Sequence, residues 1–213
     1  WMVDGVDIPC TDGVMIADTV QIGTGTTILP GTILLGNTTI GKDCLIGPNT
    51  YIMDGTVGNG VTLDNVKLTD STVEDGADAG PFVQIRGGSV LHTGVHIGDF
   101  VEVKNSTVGA GTKSAHLTYI GDSDVGAGVN FGCGTVTVNY DGKNKRRCKI
   151  GDGAFIGCNT NLVAPVEVGD RAYIAAGSTI TDDIPGDALS IARARQVNKP
   201  GWVTKKKPYK EKK

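Results

Sequence analysis

His116 is one of three histidines in the chain, and it lies in a polar stretch, residues 113–119, with other polar side chains close by in sequence. Lys113, Ser114 and Tyr119 are part of the same stretch. An imidazole titrates near neutral pH, so a histidine held against a substrate amine can remove its proton. A histidine in a loop is also a common surface residue. His116 is therefore a candidate general base, with an ordinary surface histidine as the alternative.

A second polar stretch, residues 138–149, carries four cationic side chains within five positions: Lys143, Lys145, Arg146 and Arg147. Such a run is too polar for a packed element, and it predicts a projecting loop. Clustered cations pair well with a phosphate group. A solvated loop tip explains the same composition, so both interpretations stay open at this point.

The five cysteines give no pattern typical of a metal site or a disulfide framework. Their number is odd, and neither a CxxC motif nor zinc-type spacing with histidine is present, which fits free thiols in a reducing cytosol. Cys133 and Cys158 each follow a glycine. A nucleophilic cysteine would form an acyl-enzyme and would need a neighbouring base. We interpret both as small residues of the repeat described next.

Aliphatic side chains recur at every sixth residue, and this repeat must position the polar stretches. The period holds over three runs: Ile22, Ile28, Leu34, Ile40, Ile46 and Ile52; Ile85, Leu91, Ile97 and Val103; Ile150, Ile156, Leu162, Val168, Ile174 and Ile180. With about 3.6 residues per turn, an α-helix would spread these side chains around its axis. Short strands with glycine corners suit the period, and β-branched residues favour them. The predicted fold is an all-β, left-handed parallel β-helix of hexapeptide repeats with a short C-terminal arm. A sandwich or barrel is the alternative.

The repeat also predicts which charged side chains stack. Three hexapeptides separate Arg86 from Lys104, so we expect them on one edge of adjacent coils. Glu102 lies two positions before Lys104 and is expected on the same side of its strand. Stacked cations indicate an anion site, although a plain surface ladder of charges is the alternative.

Composition and charge limit the function classes. The net charge is −3, so the whole chain does not resemble a nucleic-acid-binding protein. The Lys-rich end, residues 205–213, has six lysines and one glutamate, or +5, which leaves −8 for the rest. We interpret that end as a solvated terminus. No signal peptide or membrane-spanning run is visible, and the start at Trp1 predicts a fragment. We predict a β-helix domain over 1–187 and an arm with its tail over 188–213.

Seven segments together resemble the C-terminal domain of one family. That family is the bifunctional UDP-N-acetylglucosamine pyrophosphorylase/glucosamine-1-phosphate N-acetyltransferase, and the resemblance covers residues 5–203. The hexapeptide repeat alone is shared by many acyltransferases, whereas His116 and Tyr119 with the Asn-Tyr-Asp-Gly-Lys loop are far more specific. The segments are 81–86, 98–106, 116–122, 139–145, 161–166, 174–179 and 193–197.

The resemblance implies roles for thirteen residues. His116 matches the general base, and Glu102 matches a carboxylate that supports it. The residues matching the sugar-phosphate site are Arg86, Lys104, Tyr119, Asn130 and Lys145. The residues matching the acetyl-CoA site are Cys133, Asn139, Tyr140, Cys158, Ala176 and Arg193. The family commonly has smaller residues at 133 and 158, so a side-chain hydroxyl contact at 158 would weaken here.

The activity implied by the resemblance is acetyl transfer from acetyl-CoA to the amine of glucosamine-1-phosphate. The product, N-acetylglucosamine-1-phosphate, serves UDP-N-acetylglucosamine and peptidoglycan synthesis in the cytoplasm. Transfer is expected to be direct, without a metal, in a homotrimer whose active sites lie between subunits. Neither nucleic acid nor membrane is an expected partner. The family's uridylyltransferase domain is expected to be absent from this chain, and its activity with it.

Three other functions are compatible with parts of the sequence. Another amino sugar or amino acid as acetyl acceptor fits the repeat but not the Asn-Tyr-Asp-Gly-Lys segment. A zinc hydratase with three histidines between subunits would have only His92, His96 and His116 to use. A non-catalytic trimeric scaffold fits a solenoid but leaves His116 and the basic loop without a role.

Overall fold

The computed structural model describes residues 1–206 and residue 208, and they form a parallel β-solenoid of about ten turns. Each turn contains three short strands, and the chain visits three parallel sheets in rotation. This confirms the predicted all-β, parallel β-helix class and excludes the sandwich and the barrel. The remaining tail residues, 207 and 209–213, include four of the six lysines of the Lys-rich end and lie outside the described residues.

The three sheets are numbered in the order in which the chain first enters them. Sheet 1 consists of Met15–Ile16, Ile33–Leu35, Tyr51–Met53, Val66–Thr69, Val83–Arg86, Glu102–Lys104, Tyr119–Gly121, Val136–Val138, Asn161–Val163 and Thr179–Ile180. Sheet 2 consists of Gln21–Ile22, Thr39–Ile40, Thr56–Val57, Thr72–Val73, Val90–Leu91, Thr107–Val108, Ser123–Val125, Cys148–Ile150 and Val166–Val168. Sheet 3 consists of Thr27–Ile28, Leu45–Ile46, Thr62–Leu63, Asp78–Ala79, His96–Asp99, Lys113–His116, Asn130–Phe131, Phe155–Ile156, Tyr173–Ile174 and Leu189–Ser190.

The core is a set of aliphatic columns that run along the inside of the coils. Alternate residues of a strand point inward, so each short strand contributes one side chain to a column. Ile85 and Val103 are register partners in sheet 1, and both are fully buried. Burial of each such side chain stabilises the fold by about 1.5–3 kcal/mol, and every coil adds its own contribution. The period of six is thus the spacing between inward positions.

Ser114 interrupts the aliphatic column of sheet 3. It pairs with Ile97 on one side and Phe131 on the other, and it is fully buried. Its hydroxyl is the one buried side-chain oxygen or nitrogen without a hydrogen-bond partner among the described residues. Phe131 is larger than the usual aliphatic, so a small neighbour balances the volume in adjacent coils. The stretch 113–119 therefore begins with a strand, Lys113–His116, and Ser114 is its inward position.

The corner between sheets 3 and 1 has a left-handed backbone in successive coils. Asn49 and Asn65 occupy it with φ of 51° and 50°, as the local hydrogen bonding of asparagine permits. Phe82, Phe100 and Leu117 then occupy it with φ of 59°, 59° and 45°, and each is more than half exposed. Such a backbone costs a bulky residue about 1–2 kcal/mol. The fold therefore tolerates strain to place three apolar side chains in solvent.

The solenoid ends later than the aliphatic repeat does. Leu189–Ser190 pairs with Tyr173–Ile174, so the last strand of sheet 3 follows residue 187. Residues 191–206 are exposed, and they include the α-helix Trp202–Lys206. A single 3-10 turn, Met2–Asp4, begins the chain. Among the described helices, none has the length and hydropathy that a membrane span requires.

Candidate active site

Arg86 and Lys104 are register partners on sheet 1, as their spacing predicts. Glu102 precedes Lys104 by two positions and accepts from Arg86, at 2.8 Å from Nε and 2.7 Å from Nη2. Both members of this pair are about one third exposed. The salt bridge holds the guanidinium at the sheet surface, beside the Lys104 ammonium.

Asp122 is a buried carboxylate directly behind these cations. It accepts hydrogen bonds from the side-chain amides of Asn105 and Asn139, and Lys104 Nζ lies 3.4 Å from its Oδ2. Burial alone would raise the pKa of Asp122. The two amide donors and the positive charge of Lys104 outweigh that penalty and hold the pKa below its usual range. Asp122 is therefore an anion at neutral pH that fixes a lysine and an asparagine.

Tyr119 and Asn139 continue this network toward the next coil. The Asn139 amide donates to the Tyr119 hydroxyl at 3.3 Å as well as to Asp122. The ring of Tyr119 lies over Gly121, where an added Cβ would collide with the ring and the hydroxyl. Gly121 thus leaves room for the ring, and the network joins three of the predicted site residues, Lys104, Tyr119 and Asn139. The Arg86–Glu102 pair lies beside it on sheet 1 as a separate contact.

The second polar stretch contains an exposed loop, residues 140–147, as predicted, and the loop backbone is ordered by internal hydrogen bonds. The two ends of the predicted stretch, Val138 and Cys148–Lys149, are strand residues instead. Asp141 Oδ1 accepts from the amides of Lys143 and Asn144 at 2.8 and 2.6 Å. Tyr140 and Lys145 form an antiparallel bridge across the loop. The hydrogen bonds from the Asn144 and Lys143 amides hold the pKa of Asp141 below its usual range. Together with the bridge they shape a tight hairpin.

Arg147 fastens the end of this loop to the solenoid. Its guanidinium donates to the Asp124 carboxylate at 3.1 and 2.5 Å, to Asn105 O at 3.0 Å and to Ser123 O at 3.1 Å. The clamp spans two coils, and it is a planar, multidentate contact that a lysine cannot reproduce.

Lys145 faces Lys104 across a small cleft. The cleft has a volume of ≈ 350 Å³, and its lining residues are Lys104, Asn105, Asp122, Lys145, Arg146 and Arg147. Lys145 has no ion-pair partner among the described residues. The pKa of Lys145 is lowered, first by Lys104 and less strongly by Arg86. Neighbouring cations that repel one another are the arrangement that an added phosphate would stabilise.

His116 begins a column of residues along the corner between sheets 3 and 1. Ser114 pairs with Phe131, and Phe131 with Ile156, so His116, Cys133 and Cys158 occupy equivalent positions in three consecutive coils. Hydrogen bonds from Gly134 N to Leu117 O, from Asn159 N to Cys133 O and from Gly177 N to Cys158 O fix this register. We call it the corner column, and its members are His116, Cys133, Cys158 and Ala176.

The corner column ends beside Arg193. A methyl group added to Gly177, next to Ala176, would lie 3.6 Å from Cδ of Arg193. His116, Cys158 and Ala176 are exposed, and Cys133 is half-buried. The amide of Cys133 makes no hydrogen bond within the described part of the chain, whereas both neighbouring amides do. The column therefore offers a basic imidazole and, one coil later, a free N–H donor.

Within one chain, Asn130 and Glu102 do not contact the residues that they are predicted to act with. Asn130 lies on sheet 3 between Lys113 and Phe155, whereas Arg86, Lys104 and Tyr119 lie on sheet 1. Glu102 contacts Arg86, and no bond between Glu102 and His116 occurs among the described residues. The assignment of Asn130 to the sugar phosphate and of Glu102 to the support of His116 stays a prediction.

Asp122 and Arg147 hold other site residues in place, and neither was predicted from the sequence. In the sequence, Asp122 is only one member of the segment 116–122. Its place in the coil does not reveal its burial, because Asp70 and Asn105 occupy the same corner in earlier coils and are exposed. Arg147 is one cation among four. Its spacing to Asp124 becomes informative only when the intervening loop is known to project.

Two family models match the chain over its repeats. The bacterial transferase hexapeptide (six repeats) matches residues 147–182, and the hexapeptide repeat of succinyl-transferase matches residues 37–65. The bifunctional protein GlmU of Geobacillus sp. is 56% identical over 202 residues, which are 95% of this chain and 44% of that protein. GlmU of Halalkalibacterium halodurans is 53% identical, over 97% of the chain and 45% of that protein.

The chain is a relative of the C-terminal part of GlmU. It spans less than half of the length of these curated relatives. Among solved structures, an Arabidopsis UDP-N-acetylglucosamine acyltransferase is similar at 13% identity and a TM-score of 0.45, over 88% of this chain and 70% of that one.

The other two histidines lie away from the corner column. His92 pairs with Glu74 at 2.9 Å, and His96 pairs with Asp78 at 2.6 Å. Within the described residues, no group of three or more His, Cys, Asp or Glu side chains is arranged to hold a metal ion. Each of these histidine–carboxylate pairs joins two adjacent coils.

Replacement of Asp122 by Asn should destabilise the chain by about 1–3 kcal/mol, because the new amide would face three donors. The lowered pKa of Asp122 means that its contribution is present above the unfolded value, about 3.9, and is lost as pH falls toward the folded value. The measurement is urea unfolding at about pH 7 and about pH 4. The variant should lose less stability on acidification than the parent. Asp70→Asn is the control, because Asp70 is exposed at the same corner three coils earlier. An equal loss of unfolding free energy on acidification in the parent and in Asp122→Asn would contradict the assignment.

Proposed function

We propose that this chain transfers the acetyl group of acetyl-CoA to the amine of glucosamine-1-phosphate. One observation carries the proposal: Lys104 and Lys145 face each other at a cleft beside Arg86, and His116 lies at the other edge of sheet 1 in the next coil, followed one coil later by a free amide. The similarity to GlmU over 95% of the chain supports the same activity. The product would serve UDP-N-acetylglucosamine synthesis for cell-wall precursors in the cytoplasm.

The sugar phosphate would bind at the cleft between sheet 1 and the loop. A phosphate placed between Lys104 and Lys145 relieves the repulsion that lowers the pKa of Lys145. Asp122 holds Lys104 from behind, and Arg147 holds the loop that carries Lys145. Fixed cations position a phosphate at little entropic cost, and they orient the attached sugar. Phosphate recognition is thus separated from the reacting amine.

His116 would act as the general base for the amine. A protonated amine cannot attack a thioester, so its proton must be removed before or during attack. Attack on the thioester carbonyl gives a tetrahedral oxyanion, which collapses with loss of the CoA thiolate. The free N–H of Cys133, one coil beyond His116, is a donor of the kind that stabilises such an oxyanion. Glu102 would support His116, and Asn130 would help to bind the sugar phosphate, as the resemblance implies.

Acetyl-CoA would lie along the corner column. Coils are spaced by about 4.8 Å, so three steps from His116 to Ala176 cover about 14 Å in an extended groove. Arg193 lies at the far end, where a cation suits the phosphates of CoA. Asn139 and Tyr140 lie at the loop base, after the sheet 1 strand Val136–Val138 that follows Cys133 in the same coil. The small residues of the column leave space for a pantetheine chain.

The chain would act as a homotrimer with active sites between subunits. The stacked rings of Phe82 and Phe100, with centroids 5.3 Å apart, stand in solvent with Leu117 beside His116. Exposed, strained apolar side chains next to a proposed site are typical of a surface that another chain covers. An adjacent subunit would also be the natural route by which Asn130 reaches the sugar phosphate.

The experiment that tests the activity follows CoA thiol release from acetyl-CoA in the presence of glucosamine-1-phosphate. Glucosamine-6-phosphate is the matched control, since it has the same amine and charge with the phosphate on another carbon. We expect release with the 1-phosphate alone. Equal release with both sugars would contradict the acceptor, and release with neither, in a trimeric sample, would contradict the function.

His116→Ala should lower turnover by about 10²–10⁴-fold, because the amine would lose its general base. Acetyl-CoA affinity, measured by calorimetry, should stay close to that of the parent, because the column beyond His116 is intact. His96→Ala is the control, since His96 contacts Asp78 on the surface of an earlier coil. Turnover like that of the parent in His116→Ala would refute the assignment.

Phe100→Asp should convert the trimer to monomers, because a carboxylate cannot be buried against an apolar surface without a partner. Sedimentation velocity gives the mass of the species in solution. Met15→Asp replaces an equally exposed apolar side chain far along the solenoid, and it should leave the trimer intact. If Phe100→Asp is still a trimer, Phe100 does not lie in the contact between subunits and the proposed contact is wrong.

A further inference from the structure

Cys133 and Cys158 are neighbours in space although the basic loop separates them in sequence. Phe131 pairs with Ile156, so two positions later the cysteines hold equivalent places in consecutive coils. Gly132 N donates to Ile156 O at 2.7 Å before the pair, and Asn159 N donates to Cys133 O at 2.8 Å after it. Hydrogen bonds on both sides therefore hold the two cysteines in register.

The spacing of the coils suits a bond between the two sulfurs. Adjacent parallel strands lie about 4.8 Å apart, and disulfides join residues whose Cα atoms are about 4.4–6.8 Å apart. Cys158 is exposed and Cys133 is half-buried, so a reagent in solvent reaches both. His116, the preceding member of the column, occupies the position next to Cys133 in the adjacent coil.

The other three cysteines contrast with this pair. Cys44 and Cys148 are buried, and burial raises the pKa of both thiols, that of Cys148 to about 11. Both point into the core, where a thiol behaves as a small apolar group. Cys10 is partly accessible but lies near the N-terminal end of the solenoid, many coils from the pair. Accessibility and a register partner thus coincide at Cys133 and Cys158.

We propose that Cys133 and Cys158 form a paired dithiol site that a low-molecular-weight disulfide oxidises to an intramolecular disulfide, and that this bond closes the acetyl-CoA groove. Formation of the disulfide depends on the thiols alone. Closure of the groove rests on the proposed function, because it takes the corner column to be the path of the pantetheine chain.

The oxidation is a two-step exchange. One cysteine thiolate attacks a sulfur of the reagent, forms a mixed disulfide and releases one small thiolate. The second cysteine thiolate attacks the protein sulfur of that mixed disulfide and releases the other small thiolate. Two cysteines are oxidised and one reagent disulfide is reduced to two thiols, which take up the protons that the cysteines lost.

Closing the bond would change the groove at its middle. The two side chains would be drawn together across adjacent coils, directly beside the free amide of Cys133. The thioester end of acetyl-CoA must reach that amide for the oxyanion to be stabilised there. The bond would therefore interfere with the acyl donor and leave the phosphate cleft on sheet 1 unchanged.

The experiment treats the purified full chain with glutathione disulfide and removes the excess reagent. Tryptic peptides with 133 and 158 are then examined by mass spectrometry without reduction, since cleavage at the basic loop separates the two cysteines. We expect one linked pair of peptides, with two hydrogen atoms fewer than their sum. We also expect loss of acetyl-CoA binding by calorimetry and of acetyl transfer, both restored by a reducing dithiol.

Each control compares a variant with itself before and after oxidation. Cys10→Ala should respond like the parent. Cys133→Ala and Cys158→Ala should each take up one glutathione at the remaining cysteine of the pair and form no linked peptide. Separate glutathione adducts on both cysteines of the parent, with no linkage, would overturn the dithiol site, and linkage with unchanged acetyl-CoA binding would overturn the closure. A reduced chain without transfer to either sugar would refute the proposed function, while the linkage would still be decided by mass.

Discussion

The in-register stacking of coils is the constraint on which the rest of the structure depends. Each coil donates backbone hydrogen bonds to the next, so the neighbour of any side chain is the residue at the same position one coil away. Residues of one kind therefore form columns. Phe155 stacks on Tyr173 with centroids 4.4 Å apart, and Arg86 lies beside Lys104. A functional site in this fold is an arrangement of columns rather than of loops alone.

The period of six is sufficient to predict these columns wherever the repeat is unbroken. Three whole hexapeptides lie between Arg86 and Lys104, and their stacking was predictable for that reason. The corner column was not, because neither the step from His116 to Cys133 nor the step from Cys133 to Cys158 is a multiple of six. The first step is one position short of three hexapeptides, and the second includes the basic loop. Spacing reveals a neighbour only when the length of each coil is known, and polar stretches are where that length changes.

Asp122 could not be predicted from its neighbours in sequence, because its role arises from burial. A buried carboxylate must find donors or become protonated. Asn105 and Asn139 supply them from the adjacent coils, and Lys104 adds a charge. The consequence reaches beyond Asp122 itself. The same carboxylate contacts both Lys104 and Asn139, so one buried charge links a residue of the proposed phosphate site to a residue of the proposed acetyl-CoA site.

The basic loop shows how an insertion can serve a rigid solenoid without disturbing it. Residues 140–147 leave sheet 1 after Asn139, and Arg146 N returns to Asn139 O at 2.8 Å, so the ends of the loop are joined at its base. Arg147 then fastens the loop to two coils. A flexible loop would lose conformational entropy each time a phosphate binds, which weakens binding. Because this loop is ordered by the fold itself, Lys145 is held facing Lys104, and a phosphate bound at the proposed site would relieve their mutual repulsion.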